Sequence, residues 1–268
     1  VGTILVGTQG WNYQAWVGPF FPEGTRQEDY LRVYARAFPT VEVDSTFYGI
    51  PAEKVVRGWA ARVPESFRFS LKIPQEITHV RRFIDAGDVL REFCGVARAL
   101  GPKLGVVLIQ CGPDLGPEHR PAVERFLPLL PSDLRFAIEF RRFGWLTRDV
   151  LRMLAEYRVA LTLVEGRWIS RPRMLRLAEE PTADHAYVRF MGPDRSIEDY
   201  SRVQVDRSHE LGEWAPAIAG LAARVRAVHV YVNNHFEGHS PSTARRLQAL
   251  LGQPVVEPAQ LAEQTELF

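Results

Sequence analysis

Six charged side chains recur at alternating positions within short β-rich runs: Glu42 and Asp44, Lys72, Glu139 and Arg141, and Arg189. Two guanidinium groups and one ammonium suit a phosphate or carboxylate, the arginines as planar forks and the lysine as a point charge. Glu139 shares a strand face with Arg141 and is the candidate general base or water-orienting group, with Asp44 as a second acid. Gln110 and Asn233 both donate and accept, which fixes the orientation of a polar ligand. Lys72 would also permit Schiff-base chemistry if its pKa were depressed. An ion pair with Glu139 or Asp44 is the plainer expectation for it.

These residues need elements to bring them together. Strands are expected at Ile4–Thr8, Val41–Thr46, Phe67–Ile73, Gly105–Gln110, Phe136–Arg141, Ala160–Val164, Ala186–Phe190 and Val228–Asn233. Amphipathic helical stretches alternate with them at Asp29–Phe38, Glu53–Val63, Val89–Leu100, Thr147–Tyr157 and Glu213–Val225. A last helix begins at Ser240-Pro241 and stops at Gly252, because proline suits a first helical turn. Strand–helix alternation without an internal linker predicts a single-domain α/β (β/α)8 TIM barrel over residues 1–252. An open doubly wound sheet would announce itself by a glycine-rich phosphate loop after the first strand, and none is present.

Strand side chains point alternately to opposite faces. Phe67, Phe69, Leu71 and Ile73 therefore oppose Arg68, Ser70 and Lys72, while Phe136, Ile138 and Phe140 oppose Ala137, Glu139 and Arg141. Val228, Val230 and Val232 oppose His229, Tyr231 and Asn233 in the same way. The apolar set must meet the helices, so the polar set faces the barrel axis, where ordinary barrels carry aliphatic side chains. Buried charges are costly unless paired, hydrated or in use. Three acids against three bases can satisfy one another, so a self-contained ion network competes with a functional site. Placement near strand ends favours the site.

The balance of 33 basic and 32 acidic residues, net charge +1, gives no global field for tight non-specific nucleic-acid binding. Only Lys54, Lys72 and Lys103 are lysine, so a lysine in the predicted site is conspicuous. Cys94 and Cys111 lack metal-ligand spacing and are expected to be buried free thiols. No apolar run is long enough to span a membrane, and the first ten residues do not read as a signal peptide. The expected location is cytoplasmic.

The runs Gly7-Thr8-Gln9-Gly10-Trp11, Thr46-Phe47-Tyr48, Lys72-Ile73-Pro74 with Thr78-His79, Gln110, Glu139-Phe140-Arg141 with Trp145, Arg189, and Asn233-Asn234 resemble the YecE-like family, domain of unknown function 72. The resemblance covers nearly the whole chain and implies a (β/α)8 barrel without an established reaction. It adds Trp11, Tyr48, His79, Trp145 and Asn234 to the candidate binding residues. Gln9, Cys111-Gly112 and Arg142 depart from the family pattern, and Arg142 removes an imidazole from that position.

Trp11, directly after the first strand, is the best stacking platform, with Trp145 similarly placed after the fifth. Phe20 and Phe21 read as hydrophobic packing. His235 and His239 read as solvated loop residues. A magnesium-like ion would find Asp44 and Glu42, but no ligand pattern indicates one, and no cofactor is named by the sequence. Residues 253–268 are expected to be a tail. Gln264, Leu267 and Phe268 resemble the peptide by which bacterial DNA-processing proteins dock on the sliding clamp. The leading expectation is a hydrolase or lyase acting on a phosphorylated or nucleic-acid-derived substrate. A non-catalytic barrel binding an anion or nucleic acid and a Schiff-base enzyme using Lys72 are the alternatives.

Overall fold

The computed structural model of the protein describes residues 1–263, and its β-rich runs form eight parallel strands closed into a barrel. They are β1 (Thr3–Gln9), β2 (Thr40–Val43), β3 (Arg68–Lys72), β4 (Leu104–Gln110), β5 (Arg135–Glu139), β6 (Val159–Gly166), β7 (His185–Gly192) and β8 (Ala227–Val232). Closure is made by β1 against β8, with Thr3 opposite Ala227 and Val6 opposite Val230. Around them lie α1 (Tyr30–Ala37), α2 (Glu53–Ala61), α3 (Gly87–Ala97), α4 (Arg120–Phe126), α5 (Arg148–Glu156), α6 (Arg171–Leu177) and α7 (Ser208–Ala222). The chain continues through α8 (Asn234–Glu237), α9 (Ser240–Leu250) and α10 (Pro258–Glu263).

The alternation within the strands sorts as expected. Phe69, Leu71, Ile138, Val228 and Val230 join the helix faces in one apolar core. A second, smaller cluster fills the axis with Val106, Leu108, Ala137, Ala160, Tyr187 and Tyr231. The axis is thus layered. Its lower part is small, aliphatic and aromatic, and the charged side chains gather above it. Gly7 lets β1 and β2 approach closely, since a Cβ there would sit 2.0 Å from the Thr40 carbonyl oxygen. Cys94 and Cys111 are buried and free. Among the described residues no helix is long and apolar enough to cross a membrane.

Some boundaries differ from the sequence expectation for local reasons. β2 ends at Val43, because residues 45–47 wind into a 3-10 turn. Thr46 then accepts from the Lys72 backbone N–H and donates to the Lys72 carbonyl, at 3.1 and 2.7 Å. α4 and α6 were not expected. Each is seven residues long, too short for a clear period, although each carries proline in its first turn. Residues 253–263 do not hang free as a tail. Gln253 donates to the Ile4 carbonyl at 2.8 Å, and Leu261 of α10 is fully buried.

His229 is a confined titratable group of the lower axis. It is buried and stacked beside Tyr187, and burial lowers its pKa from 6.5 to about 3. Between those values the unfolded chain binds a proton that the folded chain refuses, so stability falls as pH drops from about 6.5 towards 3. His229→Gln is expected to lose less thermal stability than the parent over that range, as read by Tm against pH.

Candidate functional site

At the upper axis Arg189 of β7 lies between two carboxylates carried by β2 and β5. Its Nε and Nη2 donate to the two oxygens of Glu42 at 3.0 and 2.7 Å, and its Nη1 donates to Glu139 and, at 3.3 Å, to Gln110. Tyr187 adds a donor to Glu42 at 2.7 Å, and Arg141 donates through Nε to the other oxygen of Glu139 at 3.1 Å. Arg189, Glu42 and Glu139 are at most 2% exposed. Burial alone would raise the Glu139 pKa, but Arg189 and Arg141 outweigh it and hold the carboxyl below its ordinary value. At Glu42 burial prevails over Arg189 and pushes the pKa up. The centre of the constellation is an ion network whose members satisfy one another.

The rim above it is different. The Lys72 ammonium stands 3.6 Å from an Asp44 carboxylate oxygen and 4.2 Å from the Phe47 ring centroid. No described residue hydrogen-bonds to it. Burial lowers its pKa, with Asp44 working in the opposite sense. Arg141 uses only Nε on Glu139, so its terminal nitrogens have no hydrogen-bond partner among the described residues. His79 bonds through Nδ1 to the Thr78 hydroxyl at 2.8 Å and meets the Phe47 ring edge-on. Burial, then the Arg141 charge, lowers its pKa, so its imidazole is neutral at neutral pH. Asn233 donates to Gln9 and accepts from the His235 amide at 2.8 Å.

Other predicted residues lie elsewhere. Trp11 packs edge-on against Trp59 and Phe69, on the helix side of the barrel wall. Trp145 is fully buried, stacked on Phe140 at 4.3 Å, with its N–H donated to the Leu115 carbonyl. Asn234 accepts from the amide and hydroxyl of Ser240 and so ties α8 to the start of α9. Tyr48 is 74% exposed. Phe20 and Phe21 pack with Tyr30, Tyr34 and Phe38 beside α1. Gln264, Leu267 and Phe268 lie outside the described residues. Among those described, no group of three or more His, Cys, Asp or Glu side chains is placed to hold a metal ion.

Sequence reasoning reached Tyr13 only as one of the first-loop aromatics and missed other rim residues. Tyr13 from the first loop meets Tyr200 edge-on, and Tyr200 reaches His235 Nε2 at 3.1 Å. Burial, then Asp44, pushes the Tyr13 pKa up. Arg167, Trp168 and Arg195 border the mouth beside Arg141. Their signal was available, since Arg167-Trp168 and Arg195 follow the ends of β6 and β7 within three residues.

The two layers respond differently to substitution. Arg189→Met leaves the buried Glu42 carboxylate without its guanidinium and Glu139 with Arg141 alone, and is expected to cost about 3–5 kcal/mol in urea unfolding. Asp44→Asn removes a part-exposed carboxylate from a buried Lys72 ammonium, and is expected to cost less, about 1–3 kcal/mol.

Residues 5–266 match the model of a family described as protein of unknown function DUF72. The UPF0759 protein YecE of Escherichia coli K12 is 30% identical over 138 residues, covering 52% of this chain and 48% of YecE, about half the length of that relative. The UPF0759 protein YunF of Bacillus subtilis is 27% identical over 278 residues, covering 92% and 94% of the two chains. The crystal structure of a DUF72 family protein from Thermotoga maritima superposes with a TM-score of 0.79 at 22% identity, covering 94% of this chain and all of that one. One from Enterococcus faecalis gives 0.74 at 21%, covering 95% and 99%. A D-psicose 3-epimerase from Clostridium cellulolyticum, at 11% identity and a TM-score of 0.50, covers 100% of this chain and 98% of its own and shares the fold alone. With a family model spanning nearly its whole length, this chain belongs to the DUF72 family.

Proposed function

We propose that the protein is an enzyme, a hydrolase or lyase, that takes a phosphorylated or nucleic-acid-derived substrate at the C-terminal mouth of the barrel. The observation that supports this reading is the contrast between a saturated centre and an unsaturated rim. Lys72 offers an ammonium without a hydrogen-bond partner among the described residues, and Arg141 offers two free terminal nitrogens. A phosphate or carboxylate answers both. Glu139 is held by two guanidinium groups and is a weak base, so its role is to aim Arg141. Asp44, half-exposed beside Lys72, is the group free to move a proton. Asn233 orients the polar remainder of the substrate.

Lys72→Ala and Arg141→Ala are expected to abolish binding of simple phosphate esters in calorimetry. Asp44→Asn is expected to retain binding and to lower turnover against a phosphoester panel by about 100-fold or more. Binding through Lys72 needs the protonated amine, whose pKa is lowered, so affinity should fall with rising pH at values below 10.5. Lys72→Arg should move that loss upwards. Binding with no turnover on any panel member would leave a purely binding barrel. A borohydride-trapped adduct at Lys72 would instead favour Schiff-base chemistry, the alternative supported by the ammonium's lowered pKa.

The chain's terminal Gln264, Leu267 and Phe268 would bring this activity to DNA by docking on the bacterial sliding clamp. A peptide covering 257–268 is expected to bind a clamp in fluorescence anisotropy, and Leu267→Ala with Phe268→Ala should remove that binding.

A further inference from the structure

A cavity of about 240 Å³ opens beside Arg141, and Glu139 also belongs to its lining, so it shares these two residues with the mouth. Arg167 from the β6–α6 loop, Arg195 from the β7–α7 loop and Trp168 complete its outer wall. Neither Arg167 nor Arg195 has a hydrogen bond or ion pair to any described residue. Arg141, as shown above, keeps two terminal nitrogens free. Of the two acids at the cavity, Glu139 is engaged by cations and Asp194 is half-satisfied by neutral donors. Glu139 is held by Arg189 and Arg141, and one Asp194 oxygen accepts from the Ser196 amide and hydroxyl at 2.9 and 2.6 Å. Three guanidinium groups with unused donors therefore line one small space, a strong preference for a further anionic group.

Trp168 supplies a second preference. It is 38% exposed, so part of the ring is open at the cavity wall. The guanidinium carbon of Arg167 lies 4.2 Å from its centroid and that of Arg141 lies 5.8 Å away. A ring that two flat cations already approach is a platform for a flat heteroaromatic ring, and Arg167 is held there by nothing else. At about 240 Å³ the cavity is smaller than the roughly 300–1,000 Å³ of sites that engulf a whole drug-sized ligand. It fits part of a ligand whose remainder extends to Lys72.

We propose that this cavity is an outer subsite for a nucleoside phosphate: Trp168 stacks the base, Arg167 and Arg195 hold an outer phosphate, and Lys72 with Arg141 hold the inner one. The inference rests on the mouth being the substrate site and names the class of substrate that the site takes. Trp168 is then the specificity-determining residue, because pyrophosphate or a sugar phosphate can satisfy the cations but not the ring.

Calorimetric titration of the full chain with adenosine 5′-diphosphate and with inorganic pyrophosphate tests this. The nucleotide is expected to bind about 5- to 150-fold more tightly, the gain of one stacked base. Trp168→Ala should erase that advantage, Trp168→Phe should keep most of it, and Arg167→Ala with Arg195→Ala should weaken both probes. An advantage that is absent, or that survives Trp168→Ala, overturns the subsite. Pyrophosphate binding lost in Lys72→Ala, alongside such a failure, leaves the mouth reading intact. Tryptophan-dependent nucleotide binding indifferent to Lys72→Ala leaves Trp168 as a stacking site but overturns the inner-phosphate placement, and with it the mouth reading on which the subsite rests. Failure of both probes to bind removes both.

Discussion

Arg189 is the side chain on which the upper barrel depends. A guanidinium that is 1% exposed has no recourse to water, so its donors must be met by protein acceptors. Glu42 meets two of them from β2 and Glu139 meets another from β5, so one residue of β7 links strands on different sides of the barrel. Each carboxylate has the same need in return. Removing Arg189 leaves Glu42 without its guanidinium, and removing either carboxylate leaves buried Arg189 donors unmet, which is why the group acts as a unit.

Satisfying the centre leaves the rim with unmet capacity. Glu139 spends one oxygen on Arg189 and the other on Arg141, and this single Nε contact aims Arg141 while leaving its terminal nitrogens open. Lys72 is positioned by its backbone, which exchanges hydrogen bonds with the Thr46 hydroxyl, rather than by its ammonium. Fixed stems whose heads keep donors in reserve suit ligand recognition, since little ordering is left to be done on binding. Asp44 belongs to this rim because β2 stops one residue before it.

The loops extend the site unequally. Those after β6 and β7 carry Arg167, Trp168 and Arg195 to the same cavity as Arg141. The loop after β1 divides its aromatics, with Trp16, Phe20 and Phe21 buried beside α1 and Tyr13 turned towards Tyr200 near the mouth. Aromatic residues adjacent in sequence thus serve packing and site, according to which neighbour their loop places within reach.

The alternation of apolar and polar residues was enough to determine the barrel, the face each strand side chain takes, and the axial position of Glu42, Lys72, Glu139 and Arg189. That much is legible because strand parity is a local property and because the apolar face must meet the helices. Which charges are consumed and which remain open was decided by tertiary structure alone. Arg189 lies within β7 and Arg141 two residues past the end of β5, on faces that the sequence pattern makes equivalent, yet one is saturated by carboxylates from two other strands and the other keeps its terminal nitrogens open. Trp11 and Trp145 follow strands just as Trp168 does, but the first two pack against apolar neighbours, one partly and one fully buried, while the third is the most exposed of the three. Both outcomes depend on distances between residues far apart in the chain, which no local pattern encodes.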